Sequence, residues 1–237
     1  MKRISIIGTR TRAAMTALWV AATAATAATA HAAAGDVASL YGPQPPDDAA
    51  YLRVINVSAQ PARVALSGSE APQTLAPGVA TRFSVLTPDT PARVTVDGKV
   101  LADAAGDVHA GDAVTVSLAR DAKGWHATRV AGRYGRIDGL KATLRAFNFV
   151  PGCSAKISVD GAGPTVFAQL TSGAQDARAI NPVSAKLVGQ CGTAASAPLP
   201  LPSLAAGDSY TLFVYGDAGK PVLSGVRDAL AWPPAVH

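Results

Sequence analysis

The sequence predicts an all-β chain of two small antiparallel β-sandwich domains in tandem, immunoglobulin-like or carbohydrate-module-like, produced by an internal duplication. Three observations carry that expectation. The 237 residues hold 22 Gly, 17 Pro and a single Glu, Glu70, so few of the residues that build exposed helices are present. Short runs alternate with the period of a strand that has one buried face, as in Val64/Leu66 against Arg63/Ala65 and Val114/Val116/Leu118 against Thr115/Ser117. Turn chemistry such as Ser67-Gly68, Ala76-Pro77-Gly78, Asp97-Gly98 and Ala110-Gly111-Asp112 recurs about every 10 to 15 residues, which suits hairpins and leaves no room for long crossover helices. With 49% hydrophobic and 16% charged residues, a disordered polyelectrolyte is excluded.

Residues 1–34 read as a Sec-type export signal. A basic opening (Lys2, Arg3, Arg10, Arg12) precedes an Ala-rich apolar run from Ala13 to Ala30, and then come small residues in the spacing signal peptidase cuts, after Ala32 or Ala34. The run is short for a membrane span and diluted by Thr16, Thr23, Thr26 and Thr29, and no second run of that length follows. A soluble periplasmic chain is therefore expected, without a membrane span once mature. Removing the signal takes the formal charge from +5 to +1, so the basicity is mostly the address label and nucleic acid is not an expected partner.

Residues 35–49 are read as an N-terminal segment, 50–130 as the first sandwich, 131–141 as a basic, Gly-rich linker, 142–227 as the second sandwich and 228–237 as a C-terminal tail. The two sandwiches are inferred from self-similarity. Leu52-Arg53-Val54-Ile55-Asn56 returns as Leu144-Arg145-Ala146-Phe147-Asn148, and Ala62 to Gly68 returns as Ala155 to Gly161. Ala92-Arg93-Val94 matches Ala185-Lys186-Leu187, and Ala110-Gly111-Asp112 matches Ala206-Gly207-Asp208, always in the same order. Asn56 and Asn148 are expected to cap the turns that follow them. Arg53 and Arg145 alternate away from their apolar neighbours and read either as a solvated face or as a surface recognising carboxylates. Arg133 and Arg136 place positive charge in the linker, read as a solvated tether or as contacts for a polyanionic sugar chain or an acidic partner face. Cys153 and Cys191, in an exported chain, are expected to form one disulfide closing a loop of 39 residues.

Catalytic readings fail on the residues. Gly207-Asp208-Ser209-Tyr210 resembles the nucleophile block of SGNH-type esterases, yet it lies near the C-terminus among strand signals with no Asp-x-x-His to supply its partners. The repeat also places Gly111-Asp112-Ala113 at the same point, so Gly-Asp reads as a turn before a strand. No metal-ligand cluster, phosphate loop or cofactor motif is present. Carbohydrate binding is the competing class. It would use exposed aromatics, for which Trp125, Tyr41 and Tyr134 are the candidates, because Phe83, Phe147, Phe149, Phe167 and Phe213 fall in strand patterns as core.

Leu40-Tyr41-Gly42-Pro43, then Pro46, Tyr51-Leu52-Arg53-Val54-Ile55-Asn56, Ile180-Asn181-Pro182-Val183 and Gly207-Asp208-Ser209-Tyr210-Thr211-Leu212 together resemble the AlgF family of alginate O-acetylation accessory proteins. The resemblance implies a periplasmic, two-sandwich protein without an acetyltransferase triad, needed for acetylating an exopolysaccharide. It further implies partners: SGNH-type exported acetyltransferases and a membrane acyltransferase that the protein bridges. Tyr41, Gly42, Pro43 and Arg53 become partner-binding candidates through it. Direct binding of an acidic polysaccharide, or a place in cellulose acetylation, stay open as alternatives.

Overall fold

In the computed structural model, residues 44–68, 71–104, 106–135 and 138–232 are described. The predicted signal peptide, Tyr41, Gly42, Pro43 and Arg136 lie outside them. The described residues form strands joined by turns, with one 3-10 turn at Ala102–Ala104 and no α-helix. The first half holds β1 (Ala50–Asn56), β2 (Ala62–Leu66), β3 (Gln73–Leu75), β4 (Phe83–Leu86), β5 (Thr90–Ala92), β6 (Val94–Val96), β7 (Lys99–Val100), β8 (Gly106–Val108), β9 (Asp112–Asp121) and β10 (Gly124–Arg133). The second holds β11 (Ala142–Asn148), β12 (Ala155–Val159), β13 (Thr165–Leu170), β14 (Gln175–Ile180), β15 (Lys186–Cys191), β16 (Ala194–Ala195), β17 (Leu199–Pro200), β18 (Ser209–Asp217), β19 (Lys220–Arg227) and β20 (Leu230–Ala231).

Strand pairing runs in step through the two halves. β1 pairs antiparallel with β4 and parallel with β9, and β11 pairs antiparallel with β14 and parallel with β18. On the opposite layers β2 lies between β3 and β6, and β12 lies between β13 and β15. The parallel pairs depart from the all-hairpin expectation. Each joins strands far apart in sequence, because the chain crosses to the other layer and back before returning beside its first strand.

Period-2 alternation fills each sandwich. Leu52, Val54, Val64, Val94, Val114 and Leu118 share one core, and Leu144, Ile157, Phe167, Leu187, Leu212 and Val214 share another. Yet all seven residues of β1 and all seven of β11 are buried, so these strands have no solvent face. Their second faces meet: Ile55 and Val130 pack on Phe147, Phe149 and Phe213, whose rings stack 5.7 to 6.5 Å apart. Four layers therefore stack, with the β1 and β11 sheets inside. The two sandwiches belong to one compact unit rather than to bodies on a tether.

The ends of the halves are also stitched together. The expected linker begins inside β10, and the expected C-terminal tail contributes β20, which runs parallel to β4 of the first half through Leu230↔Phe83 and Ala231↔Ser84. Asn56 Nδ2 donates to the carbonyls of Gln60 and Leu75 while its Oδ1 accepts from Ser58 N–H. Asn148 repeats this with the carbonyls of Cys153 and Leu170 and with Val150 N–H. Cys153 and Cys191 are joined in a disulfide between the approach to β12 and the end of β15.

Gly78 lies at this contact with φ +75°, and a Cβ there would stand 2.3 Å from Tyr215 Oη of the other half. Gly98, with φ +82°, has open space around that position. Gly98→Ala is expected to cost only the left-handed strain of about 1–2 kcal/mol, whereas Gly78→Ala adds overpacking of about 1–3 kcal/mol. Equal shifts of the urea midpoint for the two variants would show that the halves do not press together at Gly78.

Candidate functional site

The parallel register that sets β1 beside β9 places Arg53 opposite Thr115, and that between β11 and β18 places Arg145 opposite Thr211. Both arginines project from the inner faces of their sheets, so the meeting of the two halves buries them. Arg53 is 1% exposed. This corrects the solvated-face reading of Arg53 and Arg145: both side chains are buried, and the carboxylate they share belongs to the chain itself.

That carboxylate is Asp228, supplied by the segment after β19 and 2% exposed in its side chain. Its Oδ1 accepts from Arg53 Nη1 at 2.6 Å and from Thr211 Oγ1 at 2.7 Å. Its Oδ2 accepts from Ser209 Oγ at 2.7 Å and from Arg145 Nη1 at 3.4 Å. Arg53 also donates to Thr115 and Thr211, both at 3.0 Å, and lies over the Phe83 ring at 4.3 Å, with Phe213 and Phe147 slightly farther away. Burial pushes the Arg53 pKa down, and the charge and hydrogen bond of Asp228 oppose that shift. Arg145 completes its contacts on the carbonyls of Arg133 (3.2 Å) and Gly135 (3.5 Å).

A cavity of about 540 Å³ opens onto this cluster, lined among others by Arg145, Ser209, Asp228, Tyr51, Tyr134 and Arg227. Tyr51 and Tyr134 stack at 4.0 Å on its wall, and Phe83 meets both edge-on. Burial and the Asp228 charge raise the Tyr134 pKa to about 12, so its hydroxyl stays neutral. At the rim Arg227 pairs with Asp208, whose carboxyl is held below its ordinary pKa by the Ala205 N–H and then by Arg227.

Among the other predicted residues, Arg133 is exposed and donates to the Ala110 carbonyl at 3.0 Å, tying the end of β10 to the turn before β9. Tyr134 is not a free platform, since its ring is stacked on Tyr51. Trp125 is half-buried, with its indole N–H on Asp97 and Arg120 over its ring. Reading the sequence missed Asp228, Thr115, Thr211 and Tyr51. A usable signal was present for the threonines, because a central-strand Arg that is buried needs polar partners at the same register.

No described histidine lines the cavity; His109 stands elsewhere, its Nδ1 2.7 Å from Asp89. The Asp89 hydrogen bond raises the His109 pKa. Its stabilising contribution is therefore fully present below the ordinary histidine value of about 6.5 and lost as pH rises through the raised value. Asp89→Asn is expected to move the His109 imidazole titration, followed by NMR, to lower pH; an unchanged titration would dissolve the pair.

A family model described as alginate O-acetyl transferase AlgF matches residues 21–211. The chain belongs to the AlgF family. Membership involves the chain in alginate O-acetylation, associates it with that machinery and points to the periplasm or the extracellular side. The solved C-terminal domain of AlgF from P. aeruginosa is 26% identical over 37% of this chain and 98% of its own, with a TM-score of 0.33. A Bacteroides uniformis protein named for cell adhesion is 11% identical over 78% of this chain and 99% of its own, with a TM-score of 0.27. No curated protein matches. Among the described residues of this AlgF-family chain, no helix is long and apolar enough to cross a membrane.

Proposed function

We propose that this AlgF-family chain is a non-catalytic periplasmic accessory protein that bridges the acetyltransferase components of alginate O-acetylation, namely SGNH-type exported enzymes and a membrane acyltransferase. The observation that carries this reading is the condition of Ser209. Its hydroxyl reaches a carboxylate, as a nucleophile's partner chain would require, but that carboxylate is held between two guanidiniums and Thr211. Among the described lining residues no imidazole stands between that carboxylate and Ser209 to act as its base. Ser209 serves the polar cluster instead. The matched segments and corresponding strand pairings support descent of the two halves from one duplicated unit, with neither copy retaining a reactive centre.

Deleting the gene from an alginate-producing strain is expected to abolish polymer acetylation. Complementation with Ser209→Ala is expected to restore it, and the tagged protein to co-purify with the SGNH-type acetyltransferases. Normal acetylation after deletion, or a folded Ser209→Ala variant that restores nothing, would overturn the reading. Capture of an acidic polysaccharide on aromatic platforms has less support, because Tyr134 stacks on Tyr51 and Arg120 covers Trp125. A place in cellulose acetylation lacks the family match that alginate has.

A further inference from the structure

We propose that the cavity at Arg145 receives a carboxylate presented by an acidic segment of a protein partner. The inference begins from an imbalance of buried charge. Arg53 and Arg145 have side chains 1% and 7% exposed, and among the described residues the one buried carboxylate facing them is Asp228. Asp228 is committed to the deeper arginine, at 2.6 Å from Arg53 against 3.4 Å from Arg145. Its remaining acceptor capacity goes to Thr211 and Ser209, each at 2.7 Å. What else holds Arg145 is neutral: the carbonyls of Arg133 and Gly135. Carbonyls satisfy donors without cancelling charge, so the described cluster keeps one buried positive charge in excess. A desolvated charge of that kind is costly, and the cost falls when an anion reaches it.

The cavity supplies the access, because Arg145 and Ser209 both line it. Arg145 Nη2 is held by the two carbonyls and Nη1 shares Asp228, so an entering carboxylate takes an N–H that those contacts leave, in a charge-assisted hydrogen bond. Two carboxylates of the rim could compete. Asp208 is engaged by Arg227 and by the Ala205 N–H at 2.7 Å. Asp47 is exposed in the cavity lining, where its charge opposes entry of an anion. Tyr51 and Tyr134 add no negative charge, both hydroxyls having raised pKa values.

The aromatic wall decides between sources of the carboxylate. Tyr51 is buried and Tyr134 half-buried, and their stacking takes one face of each, so the wall offers little open ring for a uronic acid to rest on, while a side-chain carboxylate on a loop needs only the polar floor. The accessory role enters solely in naming who presents the group, so binding in the test tube and acetylation in the cell can fail separately.

The test titrates the purified exported chain with an N-acetylated Gly-Asp-Gly amide, its Asn counterpart, sodium acetate and mannuronate oligomers, following the arginine side-chain NMR signals. The Asp peptide is expected to shift the Arg145 signal at millimolar concentration and the Asn peptide to leave it in place. Arg145→Lys is expected to weaken the Asp peptide about tenfold, because an ammonium has three N–H groups and Asp228 with the two carbonyls would use them all. Asp47→Asn, at an exposed residue of the cavity lining, is expected to tighten it. Absence of any shift with every carboxylate, or no effect of Asp47→Asn on a measurable affinity, would overturn the site. Acetate or mannuronate binding as tightly as the Asp peptide would overturn the assignment to a protein partner. If Arg145→Lys does not fold, the Asp47→Asn and Asn-peptide comparisons still decide.

Discussion

Asp228→Ala is expected to destabilise the protein by about 3–5 kcal/mol, the scale of breaking a buried ion pair from one side. The reason is asymmetry. Removing the carboxylate strands two buried guanidiniums at once and takes the acceptor from Ser209 and Thr211. Removing Arg53 instead leaves Asp228 with Arg145, Thr211 and Ser209, so Arg53→Met, which keeps the aliphatic bulk among Phe83, Phe147 and Phe213, is expected to cost clearly less. In the double variant the loss should fall well short of the sum of the two, since the charges removed were each other's partners. Urea unfolding of the three variants measures the order. If Asp228→Ala proved no more costly than Arg53→Met, the cluster would not be the joint between the halves that its geometry describes.

The second large effect concerns the disulfide. Cys153 and Cys191 are 38 positions apart and both buried, so the bridge ties the approach to β12 to the end of β15. Replacing both with Ala, which avoids free thiols, is expected to lower stability by about 4 kcal/mol on the loop-entropy relation for a closed loop of this length. Wild-type protein unfolded in reductant should approach the same midpoint. The loss comes largely from freeing the unfolded chain, so native spectra should change little while the midpoint falls. A change under ~1 kcal/mol would mean that β-sheet contacts already restrain that loop in the unfolded ensemble.

Much of this architecture was legible in the residues because strand formation obeys local rules. Alternation in Val114-Thr115-Val116 and Gly-Asp turns before β9 and β18 follow from side-chain direction and backbone freedom, which each segment carries on its own. Asn56 and Asn148 were legible for the same reason, their hydrogen bonds reaching groups nearby in sequence or on the next strand. Arg53 was not. Its alternation away from Leu52 and Val54 identifies which face of β1 it occupies, and ordinarily that face meets water. Here it meets Phe147, Phe213 and Thr211 of the other half, more than ninety residues away.

Sequence alone thus determined the strand chemistry, the export signal as an expectation, the repeated segments and the pair of cysteines, all set by neighbours along the chain or by composition. Only the tertiary structure decided that the two sheets close face to face, that Asp228 reaches back from beyond β19, and that a cavity lies over Arg145. Those depend on how two finished surfaces dock, and docking joins residues whose separation in sequence carries no periodic signal.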